Sequence, residues 1–77
     1  MTDIPELVAY IARALAEHPE QVEVSETSRG RQKIVRLKVA DDDMGRVIGR
    51  EGRVANAIRA IMDATADGER WGLEIAD

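Results

Sequence analysis

Gly49, Arg50, Glu51 and Gly52 lie at the centre of the stretch MGRVIGREGRVANAIRAIM, residues 44–62. An apolar pair, Val47-Ile48, precedes them, and Val54, Ile58, Ile61, Met62 and Thr65 follow at helical spacing. Glycine at both edges of so short a loop points to backbone angles, or a close approach, that a Cβ would obstruct. Gly52 also opens a helix, whose first N–H groups lack internal partners and carry the positive end of the helix dipole. An anion fits there, and Arg46, Arg50 and Arg53 place positive charge around it. The chemistry available to this pattern is binding: a glycine-framed clamp for phosphate between two helices.

Other chemistries find little support. Asp41-Asp42-Asp43 puts three carboxylates side by side, but no calcium-loop spacing follows, so helix capping is the expected role and no metal site is expected. His18, the single histidine, stands beside Pro19 at a helix end with no nucleophile or carboxylate placed to make it a base. Capping or surface exposure is its expected role. There is no cysteine, hence no disulfide framework and no thiolate metal site. No nucleophile–base pair and no GxxxxGK[ST] nucleotide loop appears, so neither catalytic residues nor cofactors are expected. Tyr10 and Trp71 are the only aromatics, which disfavours a platform that stacks bases.

The chain of 77 residues is read as one small domain, globular at 44% hydrophobic and 34% charged residues. Without a signal peptide or a long apolar run, a cytoplasmic protein with no membrane partner is expected. The net charge of −4 argues at first against nucleic acid. Its distribution answers the objection: Arg46, Arg50, Arg53 and Arg59 against Glu51 give residues 44–59 a net +3, leaving −7 for the remainder. A basic patch on an acidic body can hold a phosphate backbone, modestly and with marked salt sensitivity.

The elements that must position the loop can be read from periodicity. Ile4, Leu7, Val8, Ile11 and Leu15 form one face of a helix over about residues 4–17, with Asp3 and Glu6 as its N-terminal capping signature and Pro19 beyond its end. Strands are expected over 21–28, with Val22 and Val24 inward, and over 32–39, with Val35, Leu37 and Val39 inward. Ser28-Arg29-Gly30-Arg31 is the turn between them. Ile34 falls on the outer face with Arg36, where it would line a groove or meet a partner. The Asp triplet caps a short helix to about Val47, the loop follows, and a longer helix runs from about Arg53 to Ala66 until Asp67-Gly68. Its Ala55, Ala57 and Ala60 allow close approach. Trp71, Leu73 and Ile75 face inward from a last strand. The result is an α+β fold, three helices packed on one face of a three-stranded sheet.

Val47-Ile48-Gly49-Arg50-Glu51-Gly52 followed by Val54, Ala57 and Ile58 resembles the V-I-G-x-x-G-x-x-I signature of KH RNA-binding domains, whose loop clamps the nucleic-acid backbone. The order α-β-β-α-α-β is similar to the bacterial, type II KH arrangement, and over nearly its whole length the chain resembles the small single-KH-domain proteins of the KhpA family. Glu51 departs from the basic or neutral residues many KH loops carry there. It would repel a phosphate unless paired with Arg53 or Arg46.

The resemblance implies single-stranded RNA of about four nucleotides along a groove. Gly49 and Gly52 would admit the backbone, Arg50 and Arg53 neutralise phosphates with Arg46 beside them, and Val47, Ile48 and Val54 form an apolar floor. Asn56 and Arg59 could reach a base edge or a phosphate. Arg29 and Arg31 are balanced between an ordinary solvated hairpin and a second wall of that groove; Lys33 and Lys38 fit the solvated edge better. Family members of this size are associated with RNA-chaperone roles, as homodimers or with a larger KH protein. The alternative is an assembly module with little RNA affinity of its own, its interface supplied by Ile34 and the alanine-rich last helix. No small-molecule substrate is implied.

Overall fold

A computed structural model describes residues 3–77. Helix α1, Ile4–Leu15, starts where its capping signature predicts: the Asp3 carboxylate accepts the Glu6 N–H at 3.2 Å. Ile4, Val8, Ala9 and Ala12 are its buried stripe, while Leu15 sits half-exposed at the end. The helix stops short of the expected residue 17 because the next two amides have a better acceptor. Glu17 N–H donates to Asp43 Oδ1 and His18 N–H to Asp43 Oδ2, each at 2.9 Å.

Asp43 therefore corrects the capping role expected of the Asp triplet. Residues Asp41–Asp43 form a 3-10 turn, and the Asp43 side chain makes no capping bond to the helix that follows, α2, Met44–Ile48. It has no exposed surface and instead ties the end of α1 to the start of α2. Burial pushes its carboxyl up, but the two backbone donors, with His18 and Arg46, outweigh that and hold it below the ordinary carboxylate value. A lowered folded-state value means that the carboxylate stabilises the fold above the unfolded value of about 4 and that this contribution is lost as pH falls below it. Asp43→Asn replaces one acceptor with an NH2 facing a backbone N–H. At neutral pH the variant is expected to melt on the order of 10 °C lower. Because it lacks the titrating group, the gap to wild type should narrow in acid. Equal melting temperatures at neutral pH would contradict the role of Asp43.

Strand β1, Glu23–Arg29, runs antiparallel to β2, Gln32–Lys38, and β2 runs parallel to β3, Trp71–Ala76, giving the sheet order β1-β2-β3. The hairpin turn is only Gly30-Arg31, with Gly30 at φ +63°, so Arg29 belongs to the strand. The 3-10 turn Pro19–Gln21 delays β1 past the expected start, although Val22 is buried as expected. Helix α3, Arg53–Thr65, ends at Asp67-Gly68, both left-handed at φ 55° and 88°. Three helices cover one face of the sheet, with Val8, Val35, Leu37, Val47, Ile58 and Met62 in the core between them. No helix among the described residues is long and apolar enough to cross a membrane.

Two details differ from the periodicity. In α3 the buried stripe is Ala55, Ile58 and Met62, so Ile61 (41% exposed) and Thr65 fall on its flank. The Thr65 hydroxyl donates back to the Ile61 carbonyl at 2.8 Å. On the opposite side of the sheet Ile34 is only 3% exposed. It lies on the diagonal between Arg29 on β1 and Glu74 on β3, which are joined at 3.2 Å, and Arg36 reaches the same carboxylate at 3.4 Å. This ion-pair cluster spans β2 at Ile34, and the Gln32 side chain lies over Gly72 beside it, so Ile34 is closed off from solvent. This removes it from the expected protein interface.

Candidate nucleic-acid interface

The loop is built by positive φ angles at three of its four residues. Gly49 adopts φ 78°, ψ 171°, closes α2 through its N–H to the Gly45 carbonyl (2.9 Å), and packs against the first turn of α3. A Cβ there would sit 2.6 Å from Val54 Cγ2 and 2.8 Å from Val54 N. Gly52 adopts φ 75°, and a methyl group on its Cα would meet nothing nearer than Asn56 Nδ2, at 3.8 Å. Both requirements expected from the sequence are present, divided between the glycines: close approach at Gly49, backbone angle at both.

Glu51 is also left-handed, at φ 57°, ψ 24°. A side chain in that region costs about 1–2 kcal/mol, and nothing in the sequence announces it. Glu51→Gly is therefore expected to stabilise the protein by about 1 kcal/mol, raising the melting temperature by roughly 4–8 °C. It also removes the one acid from the loop, so RNA affinity should rise. A lower melting temperature would show that the glutamate side chain stabilises the loop.

Among the described residues Arg50, Glu51 and Arg53 make no ion pair, and all three are exposed. Arg46 is engaged elsewhere, 3.0 Å from Glu17 and 3.7 Å from Asp43, so the expected Glu51–Arg46 and Glu51–Arg53 pairings are not formed. Of the expected apolar floor, Ile48 and Val54 are half-buried, whereas Val47 is enclosed in the core.

From the loop, α3 runs back across the sheet and returns as β3. Arg59 marks their contact. Its Nη1 donates to Asn56 Oδ1 at 3.0 Å and its Nη2 to the Leu73 carbonyl at 3.4 Å. That carbonyl is available because β3 is an edge strand. Lys33 N–H donates to the Arg70 carbonyl and Val39 N–H to the Ala76 carbonyl, so the even-numbered residues of β3 turn their polar groups toward β2. The N–H and C=O groups of Leu73 and Ile75 then point to the open edge. Asn56 and Arg59 on α3 thus lie beside the open edge of β3, with the glycine loop at the start of the same helix. Sequence reasoning did not find the β3 edge, since side-chain pattern does not reveal which strand lies outermost.

Arg29 and Arg31 are not brought to the loop. They sit at the hairpin end of the sheet, and α3, 13 residues long, separates the two ends by about 20 Å. Trp71 packs against the core at that same end. Lys33 lies 5.4 Å from its ring centroid and 2.9 Å from Glu69. The hydrogen bond and charge of each partner raise the Lys33 ammonium above, and hold the Glu69 carboxyl below, their ordinary values.

A positive-φ glycine loop joining two helices, set on a sheet whose central strand pairs antiparallel with one neighbour and parallel with the other, defines a KH domain. The comparisons with known proteins agree. A family model described as the KhpA/KhpB KH domain matches residues 5–75. The chain is similar to the RNA-binding protein KhpA of Treponema pallidum, 45% identical over 74 residues that cover 94% of this chain and 92% of that one. The RNA-binding protein KhpA of Halalkalibacterium halodurans is 45% identical over 73 residues, 92% and 96% of the two chains. That of Caldanaerobacter subterraneus is 51% identical over 61 residues, 79% and 81%. No solved structure gave a significant match. The chain belongs to the KhpA/KhpB KH-domain family, and the names of its relatives are those of binding proteins, not enzymes.

Proposed function

We propose that this protein binds single-stranded RNA in the groove between α3 and the edge of β3, with the Gly49–Gly52 loop gripping the backbone. The observation that carries the reading is the loop itself: two unpaired arginines beside backbone N–H groups at the start of α3, held open by glycines at positive φ. Arg50 and Arg53 neutralise phosphates. Arg46 joins them if the RNA competes with Glu17. Ile48 and Val54 meet the apolar faces of sugars or bases. Arg59, Asn56 and the outward groups of Leu73 and Ile75 meet base edges. So few polar contacts read sequence poorly, so low specificity follows, in keeping with a role as RNA chaperone or post-transcriptional regulator. Amide chemical-shift mapping with an oligouridine of about four nucleotides tests this. Shifts are expected at residues 49–54 and at Leu73 and Ile75; shifts absent from the loop would overturn it.

A second reading, an assembly module, is favoured by one observation. Ile61 is 41% exposed on a helix flank that also presents Ala57, Ala60 and Ala64. Such a flank suits a second copy or another KH protein, and pairing two grooves would raise apparent affinity. Ile61→Glu separates the readings: where both hold, it lowers the oligomeric state and leaves the intrinsic affinity of one groove unchanged.

A further inference from the structure

We infer that the face of the sheet opposite the helices is a second, independent surface for the phosphate backbone of single-stranded RNA. Strand alternation and register place Arg29 on β1, Arg36 and Lys38 on β2, and Arg70 just before β3 on this one face. The carboxylates among them are Glu23, directly across from Lys38, and Glu74. Arg31 at the hairpin tip adds a fifth cation and Asp77, beside Lys38 at the other end, a third carboxylate, so the face carries five cations against three carboxylates. A chain of net charge −4 thus turns a locally positive face outward, away from the groove.

The arrangement of these charges suits a polyanion. Glu74 is shared by two guanidiniums, Arg29 at 3.2 Å and Arg36 at 3.4 Å, so the cluster keeps a positive charge after pairing. Lys38 and Arg70 make no ion pair among the described residues. Toward the Lys38 end of the face a shallow furrow is lined by Glu23, Glu74 and Asp77 as well as by Ser25, Arg36 and Lys38, and the Gln32 side chain lies over Gly72 in the middle of β3. A protein partner needs an apolar centre to its interface. None is offered here: Ile34 is covered, and the exposed large apolar residues, Tyr10, Leu15 and Ile61, are all on helices. A phosphate backbone requires only placed cations. The face meets the groove along β3, so one strand of RNA can pass from one to the other.

The test is fluorescence anisotropy with labelled oligouridines of about four and about sixteen nucleotides, the shorter filling the groove alone. Lys38→Gln/Arg70→Gln is the variant of choice, because neither side chain holds an ion pair whose loss would unsettle the fold. Wild type should bind the longer RNA about a hundredfold more tightly or better, well beyond the roughly thirteenfold that overlapping four-nucleotide registers give a single groove. The double variant should lose the excess over that statistical factor and keep its affinity for the shorter RNA. Its salt slope on the longer RNA should fall by about 1.4, two phosphates at 0.7 each. If wild type gains no more than the statistical factor, or the variant keeps the full length advantage, the second surface is overturned while the groove stands. Binding of the longer RNA that survives in a loop variant and disappears with Lys38→Gln/Arg70→Gln would uphold the surface even without the groove. Protection of Ser25 and Lys38 amides by poly-glutamate but not by RNA would overturn it in favour of an acidic protein.

Discussion

Gly49→Ala should cost the fold about 3 kcal/mol or more, the largest stability effect of any glycine-to-alanine change in this chain. Two terms combine. At φ 78°, ψ 171° the backbone occupies a region that belongs essentially to glycine. The new Cβ also meets Val54 at 2.6 and 2.8 Å, and one of those atoms is backbone nitrogen in the first turn of α3, which cannot rotate away. Relief requires α2 and α3 to separate, and Val47 and Ile58 are fully buried between those helices and the sheet. A domain of this size has roughly 4–12 kcal/mol in hand, so denaturant unfolding should show a midpoint lowered by a quarter or more. Gly52→Ala is the control, with open space around its Cβ and only the left-handed angle to bear, about 1 kcal/mol. Equal losses at the two positions would mean that the Gly49–Val54 contact does not set the angle between the helices.

Arg50→Asp/Glu51→Asp is the substitution with the largest expected effect on binding. It replaces an unpaired cation by an anion and brings the second carboxylate closer to the backbone, at the spot where a phosphate must approach the first N–H groups of α3. RNA affinity is expected to fall below detection. The fold should persist, because both side chains are exposed and unpaired, and aspartate tolerates the left-handed angle at position 51 better than most residues. Circular dichroism and a melting curve separate lost binding from lost structure. A folded double variant that still binds RNA would remove the loop from the mechanism.

Much of this architecture was legible because local signals agreed with the global fold. Asp3 and Glu6 mark where α1 begins, Gly30 marks the hairpin, and Asp67-Gly68 marks the end of α3. The valines and leucines of β1–β3 alternate as half-buried strands should. What escaped depends on groups far apart in sequence. Asp43 looks like a helix cap until Glu17 and His18, more than twenty positions earlier, turn their amides to it. Ile34 looks like an interface residue until Arg29 and Glu74 pair across it from two other strands. The open edge of β3 follows from strand order, which no single strand records. Within the site, the glycines could be read from their spacing, whereas the left-handed Glu51 could not, since its angle is imposed by its neighbours.

The most direct measurement is fluorescence anisotropy of a labelled single-stranded RNA with wild type and Arg50→Asp/Glu51→Asp across a salt series. Wild type is expected to bind modestly, with affinity falling linearly on logarithmic axes at about 0.7 per phosphate contacted, and the double variant not to bind. Binding that ignores salt, or that the folded double variant retains, would contradict a phosphate clamp at Gly49–Gly52.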